Sequence, residues 1–137
     1  MRTVEARMIQ AIRSAINAAD LDGTIVKAGN TEVSQAHHGN AWSPGYHREI
    51  QIRLHGSLIG VVEPDLMRLR LSDCGYRTAT TKSRLNALLS AFVPGRGLHQ
   101  SRGDWFCGTD EWEGSDEWQM RLDPDNYALQ QAQRLAA

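Results

Sequence analysis

A repeated strand pattern in the middle of the 137-residue chain is the feature that most constrains its fold. Apolar Ile50, Ile52 and Leu54 alternate with polar residues, which is the pattern of a strand that buries one face. Apolar stretches at 58–62 and 67–71 follow, each after a short turn. Consecutive strands joined by such turns predict a three-stranded antiparallel meander.

Helical periodicity flanks this meander on both sides. One helix is predicted near residues 3–19 and a second near 81–92, because apolar residues recur there at three- and four-residue spacing. Turn-forming residues follow each helix and mark its end. The two apolar faces consist of Val4, Met8, Ile12 and Ile16 in the first helix, and of Leu85, Leu88, Leu89 and Phe92 in the second.

Shorter patterns complete the predicted fold, which is α+β. Strands at 24–27 and 31–35 flank the tight-turn pair Gly29-Asn30. The expected architecture is one antiparallel β-sheet, a meander, with the N-terminal and central helices packed on one face. The remaining predictions are a loop at 37–46, a hairpin over 97–107, a short strand at 118–122 and a helix-prone end at 126–137.

The domain organisation follows from the same patterns. Residues 1–108 are expected to form a single α+β domain. Residues 109–137 are expected to form an acidic, tryptophan-bearing C-terminal extension, docked on that domain because exposed tryptophan is costly in water.

Composition favours an ordinary globular protein of the cytosol. Hydrophobic residues make up 41% and charged residues 23% of the chain, which are values of globular domains. The two cysteines lie far apart, unlike those of a small secreted scaffold. No apolar run approaches the roughly 18 residues that a membrane span needs. We therefore expect a cytoplasmic protein that has no membrane partner.

Charge is strongly divided along the chain. Residues 1–102 carry 13 basic and 8 acidic residues, whereas residues 103–125 carry 8 acidic residues and one basic residue, Arg121. Two interpretations stay open for this acidic stretch: it folds back onto the protein's own basic surface, or it binds a partner through its charge and its tryptophans. The predicted partner-binding residues are Asp104, Asp110, Glu111, Trp112, Glu113, Asp116, Glu117 and Trp118.

Basic residues form a second candidate site, for an anion or for nucleic acid. Arginines at alternate positions of the meander would share one outward face that could follow a phosphate backbone. Cations also crowd the start of the second helix, where Thr80 or Thr81 is the expected N-cap and free N–H groups suit an anion. The simpler alternative is that these residues are solvated or pair with nearby acids. The candidates are Arg53, Arg68, Arg70, Arg77, Thr81, Lys82 and Arg84.

The sequence does not indicate catalytic chemistry. The five histidines lack the spacing of a metal site, and the cysteines lack an activating context. Neither a G-x-S-x-G motif nor a phosphate-binding glycine loop is present. We therefore expect no catalytic residues, no metal ligands and no cofactor.

Four sequence runs carry a family resemblance. They are GNTEV (29–33), LHGSLIG (54–60), LSDCGYRTATTKSRLNALL (71–89) and QSRGDWF (100–106). Over about residues 25–106 the chain resembles a family of small uncharacterised domains encoded by phages, prophages and plasmids. The resemblance implies a mobile-element origin and a two-layer α+β fold, and it brings no catalytic residue or cofactor with it. The N-terminal helix and the segment after Gly108 lie outside the resembling range.

Together these features predict a non-enzymatic binding protein of a phage or mobile element. It would modulate or inhibit a host or defence-system protein through the acidic segment, and an anti-CRISPR-like inhibitor is one form of such a protein. The alternative is a nucleic-acid-binding accessory protein that uses the basic sheet face and the start of the second helix. The oligomeric state stays open.

Overall fold

A computed structural model describes residues 3–18, 20–39, 45–113 and 118–123. Within these ranges the chain forms two α-helices, nine strands and a short 3-10 turn at Pro64–Leu66. The helices are α1 (Thr3–Asn17) and α2 (Ala79–Phe92). The strands are β1 (Gly23–Ala28), β2 (Thr31–His38), β3 (His47–Leu54), β4 (Ser57–Glu63), β5 (Arg68–Leu71), β6 (Leu98–Ser101), β7 (Asp104–Cys107), β8 (Asp110–Glu111) and β9 (Trp118–Arg121).

The strands form two antiparallel sheets. The main sheet has the order β1-β2-β3-β4-β5-β9, and a small sheet has the order β6-β7-β8. The predicted meander is therefore confirmed as β3-β4-β5, and the hairpin around Arg102-Gly103 is confirmed as β6-β7. β9, which lies beyond residue 108, completes the main sheet by pairing with β5.

Both helices pack on one face of the main sheet, so the predicted α+β fold is confirmed. Met8, Ile12 and Ile16 of α1 are fully buried, and so are the leucines of α2. They share one core with the inward residues of the strands, such as Ile52. Helix and sheet approach closely, since a Cβ atom built on Gly60 would lie only 2.8 Å from Leu88 Cδ1.

Element boundaries differ from the prediction chiefly at the ends of β2 and β3 and at the start of α2. The predicted loop at 37–46 begins later, because β2 and β3 continue their pairing as far as His38 opposite His47. The N-cap of α2 is Thr78, whose Oγ1 accepts a hydrogen bond from the Thr81 N–H at 3.1 Å. Thr80 and Thr81 lie inside the helix instead, so the predicted N-cap was wrong. The residues 126–137, predicted to be helix-prone, lie outside the described residues.

Neither helix of the described ranges combines the length and the apolar character that crossing a bilayer requires. The longer of the two, α1, has 15 residues and carries charged side chains on its outer face.

The contact of α2 with β4 predicts a large effect for Leu88→Ala. Leu88 is fully buried, so we expect a loss of about 2–5 kcal/mol in the free energy of unfolding, measured by urea denaturation. Leu66→Ala is the matched control, because Leu66 is 49% exposed. A loss below about 0.5 kcal/mol, the size typical of surface positions, would contradict the core assignment.

Candidate functional site

Four exposed carboxylates lie in and next to the small sheet, with Asp110 on the side of Cys107 and Glu111 on the side of Phe106, and we call this set the acidic face. Its members are Asp104 in β7, Asp110 and Glu111 in β8, and Glu113 just beyond, and all four are exposed. In the described ranges one cation comes within ion-pair distance of this face: Arg96 Nη1 lies 3.9 Å from Asp110 Oδ2. The other predicted acidic contact residues, Asp116 and Glu117, lie outside the described residues.

The tryptophans of the acidic segment lie beneath this surface. Trp112 is 1% exposed, and its ring centroid lies 5.2 Å from that of Trp118. Its indole Nε1 donates a hydrogen bond to the buried carboxylate of Asp73 at 2.8 Å. Its backbone carbonyl accepts a hydrogen bond from Arg77 Nη2 at 2.9 Å. Trp112 therefore anchors the acidic segment to the protein, and its side chain is not presented to a partner.

An aromatic pair lies between two of the carboxylates on the outer side of the small sheet. His99 and Phe106 are cross-strand neighbours whose ring centroids lie 5.7 Å apart. Phe106 is also paired with Glu111, and Asp104 is two residues away on the same side of β7. The sequence analysis did not identify these two aromatic residues. Strand alternation within the predicted hairpin was the signal that could have placed Phe106 beside Asp104.

The basic residues of the meander lie on the helix-free face of the main sheet, as the alternation predicted. Arg53 Nη1 donates to Gln51 Oε1 at 2.9 Å. Arg68 donates to both carboxylate oxygens of Glu63, from Nε at 2.7 Å and from Nη2 at 3.0 Å. Arg70 Nε donates to Glu63 at 2.9 Å, and its Nη2 donates to Glu49 at 2.6 Å. Arg68 and Arg70 are thus paired with acids on their own face.

Glu63 is the most deeply buried of these charged groups, with 1% of its side chain exposed. Burial raises the pKa of this carboxyl, but hydrogen bonds and charges from Arg68 and Arg70 together outweigh burial and lower it below its ordinary value. Because the pKa of Glu63 is lowered in the folded state, its ionised form stabilises the fold at pH values above the ordinary glutamate pKa. That contribution is lost as the pH falls through the lowered pKa.

Two histidines join this group. His38 Nε2 lies 2.8 Å from Glu49 Oε1. His47 Nε2 lies 3.5 Å from Glu63 Oε2 and 3.9 Å from Glu49 Oε2, and the two imidazole rings stack at 5.2 Å. We call this set the carboxylate cluster; it consists of His38, His47, Glu49, Glu63, Arg68 and Arg70. Sequence spacing could not reveal it, because the strand register of β2, β3, β4 and β5 brings its members together.

The candidates at the start of α2 do not all converge on one point: Arg77 and Lys82 approach the ring of Trp105, whereas Arg84 contacts α1. Arg84 is buried, and its Nη1 donates to Glu5 of α1 at 2.7 Å. Arg77 Nε donates to Asp73 at 3.2 Å. The charged ends of Arg77 and Lys82 lie 5.8 and 5.9 Å from the ring centroid of Trp105. Thr81, the remaining candidate, is 2% exposed within the helix.

A pocket of about 470 Å³ opens beside the start of α2. None of Arg77, Lys82 and Arg84 lines it, whereas the acidic Asp73 does. The cations that suggested an anion site therefore do not face this pocket. The other residues of its lining are Leu54, His55, Ser57, Ile59, Tyr76, Thr78, Thr80 and Thr81.

Both cysteines are free thiols. Cys74 Sγ donates to the carbonyl of Leu58 at 3.1 Å. Cys107 is fully buried, and burial raises the pKa of its thiol, although Arg96 acts in the opposite direction. A thiol with a raised pKa is a weak nucleophile at neutral pH, so Cys107 is better suited to packing than to chemistry.

Comparison with known proteins identifies a family of phage proteins. Residues 1–123 match the family model described as Kyanoviridae Gp96 protein, a family of phage proteins. The resemblance to phage-encoded proteins is thereby confirmed, and it extends beyond 25–106 to include α1, β8 and β9. No curated protein and no solved structure matches the chain. The acidic face and the carboxylate cluster both lie within the matched residues.

Proposed function

We propose that this chain, which belongs to the Kyanoviridae Gp96 family of phage proteins, is a non-enzymatic binding protein. Its partner is a host or defence-system protein with a basic surface, and the contact is made by the acidic face. The effect on the partner is modulation or inhibition, of which an anti-CRISPR-like inhibitor is one form.

The observation that carries this proposal is a set of exposed carboxylates on a rigid support. Trp112 and its hydrogen bond to Asp73 hold the segment in place, so the charges are positioned before any partner arrives. Preorganisation of this kind lowers the ordering cost of binding. The His99–Phe106 pair offers a small aromatic area between Asp104 and Glu111, and aromatic residues are enriched at interface centres.

The charge distribution supports a basic partner. Mutual repulsion among Asp110, Glu111 and Glu113 costs stability unless cations compensate it, and within the described ranges Arg96 alone comes within ion-pair distance, at 3.9 Å. Several other arginines are paired with other acids, as Arg68 is with Glu63 and Arg84 is with Glu5. A one-signed surface attracts a partner of the opposite sign, and proteins that handle nucleic acid carry such basic surfaces.

Neutralising the acidic face tests the proposal. In the triple variant Asp110→Asn, Glu111→Gln and Glu113→Gln we expect an unchanged or slightly higher melting temperature, because self-repulsion falls. Association with the partner should slow by roughly 10-fold or more and lose its salt dependence, since electrostatic steering acts mainly on the on-rate. The partner is first captured from host lysate. Melting curves and association rates are then measured for the wild-type chain and for the triple variant.

The matched control is Asp20→Asn with Asp22→Asn, which removes exposed charges after α1 and should leave the on-rate unchanged. A large fall in the melting temperature of the triple variant, together with an unchanged on-rate, would show that the segment is structural. Capture that disappears on nuclease treatment would instead favour the alternative, a nucleic-acid-binding protein. In that case binding of DNA or RNA should weaken steeply with salt.

A further inference from the structure

We propose that His47, Glu49 and Glu63 form a binding site for a divalent transition-metal ion of the Zn²⁺ type on the helix-free face of the main sheet. The site is independent of the acidic face and of the proposed partner. It departs from the sequence expectation of no metal ligands, because the residues meet through strand register.

The distances among the three groups suit a metal ion. The nearest ligand atoms of His47, Glu49 and Glu63 all lie within 4.8 Å of one another. His47 Nε2 is 3.5 Å from Glu63 Oε2 and 3.9 Å from Glu49 Oε2. Ligand atoms around a tetrahedral zinc ion, with bonds of about 2.0–2.2 Å, lie about 3.4 Å apart. Small side-chain shifts would therefore close the site around an ion.

The tautomer of His47 is the second argument. Its Nδ1 lies 2.8 Å from the carbonyl oxygen of Gly45, and a carbonyl can only accept a hydrogen bond. In the neutral ring the proton is then on Nδ1, and the lone pair of Nε2 points toward the two carboxylates. Three electron-rich atoms that face one another repel unless a proton on Nε2 or a metal ion lies between them. A backbone carbonyl behind the imidazole is also the usual outer partner of a metal-bound histidine.

The neighbouring arginines leave the two carboxylate oxygens that face His47, Oε2 of Glu49 and Oε2 of Glu63, available for a metal ion. Glu63 Oε1 accepts hydrogen bonds from Nε of both Arg68 and Arg70, whereas Oε2 accepts one, from Arg68 Nη2. Glu49 Oε2 accepts one from Arg70, and Glu49 Oε1 is held by His38. Each facing oxygen keeps a lone pair, and the guanidiniums fix both carboxylates in place as outer-shell donors. Their positive charge also opposes a cation, so we expect moderate affinity.

The ligand set selects the class of ion. One imidazole nitrogen with two carboxylate oxygens suits Zn²⁺. Ca²⁺ takes six to eight oxygen ligands, and Mg²⁺ keeps several waters in an octahedral shell. A site with one nitrogen ligand and two buried carboxylates suits neither ion.

The test uses the full chain, freed of metal by a chelator. Titration calorimetry with Zn²⁺ should give one site, and Zn²⁺ should raise the melting temperature. Co²⁺ in place of Zn²⁺ should give visible absorption bands, which report inner-shell ligands directly. His47→Ala, at a side chain that is 21% exposed, should weaken Zn²⁺ binding by more than the roughly 10–100-fold that loss of an outer-shell partner costs.

His99→Ala is the matched control, because His99 lies on the small sheet and its loss should leave binding unchanged. Three results would overturn the proposal: no Zn²⁺ binding to the wild-type chain at millimolar concentration, equal binding by His47→Ala, or a Co²⁺ complex with only the weak bands of the hydrated ion. Nitrogen NMR of the metal-free wild type adds a test that needs no variant. A proton on His47 Nε2 that Zn²⁺ fails to displace would also overturn the proposal.

Discussion

Arg84→Met is expected to lower the free energy of unfolding by about 3–5 kcal/mol, because it leaves the carboxylate of Glu5 buried beside an apolar side chain. The side chains of Arg84 and Glu5 are 6% and 5% exposed, and Nη1 and Oε2 lie 2.7 Å apart. Arg84 Nε also donates to Thr31 Oγ1 at 3.1 Å, and Ser83 Oγ donates to Glu5. Urea denaturation measures the loss.

The double variant Glu5→Leu with Arg84→Met separates the cost of burying Glu5 without Arg84 from the value of the pair. Replacing both ions by apolar residues of similar size is often neutral for stability, so the double variant should recover most of the loss. Arg13→Met serves as the control, since Arg13 is exposed on α1. If Arg84→Met costs no more than this control, the ion pair does not join α1 to α2 as described.

Trp112→Ala should have an effect of similar size, about 3–5 kcal/mol, because Trp112 is the largest fully buried side chain among the described residues. It also removes the indole N–H that donates a hydrogen bond to Asp73, whose side chain is fully buried. The acidic face should then lose its fixed support, so association with the partner should weaken together with stability. Chemical denaturation and binding kinetics measure the two effects.

Trp112→Phe separates the apolar packing of Trp112 from its hydrogen bond to Asp73. The phenyl ring keeps most of the apolar contact with Trp118, but Asp73 loses one hydrogen bond, which should cost about 1–3 kcal/mol. Tyr76→Ala is the control, because Tyr76 is 63% exposed. A cost for Trp112→Ala as small as that of this control would mean that the segment is not anchored through Trp112.

Periodicity alone was sufficient to predict the two helices and the meander. The burial of Ile12 and Leu88 follows from spacing along one element, and alternation gives the inward side of β3 and β5. The main sheet contains the predicted meander, the predicted hairpin strands β1 and β2, and β9, whose pairing with β5 joins distant segments. Local sequence carries no signal for such a long-range pair.

The candidate sites also combine features that local sequence predicts with features that depend on long-range contacts. Acidic charge at Asp110 and Glu111 could be predicted from composition, and both side chains are exposed. The pairing of Arg84 with Glu5, 79 positions away, could not be predicted, and neither could the closeness of His47 to Glu63. Whether a basic residue is free depends on which acid the fold brings to it, and that is decided by register and helix packing.

The position of β9 has a consequence for synthesis of the chain on the ribosome. β5 pairs with β4 on one side, but its other edge stays open until residues 118–121 have left the exit tunnel. Throughout synthesis of α2 and the small sheet, the nascent protein therefore carries an unpaired strand edge, which is a template for wrong pairing. A messenger truncated before the codon for Trp118 would yield a chain with that edge permanently open.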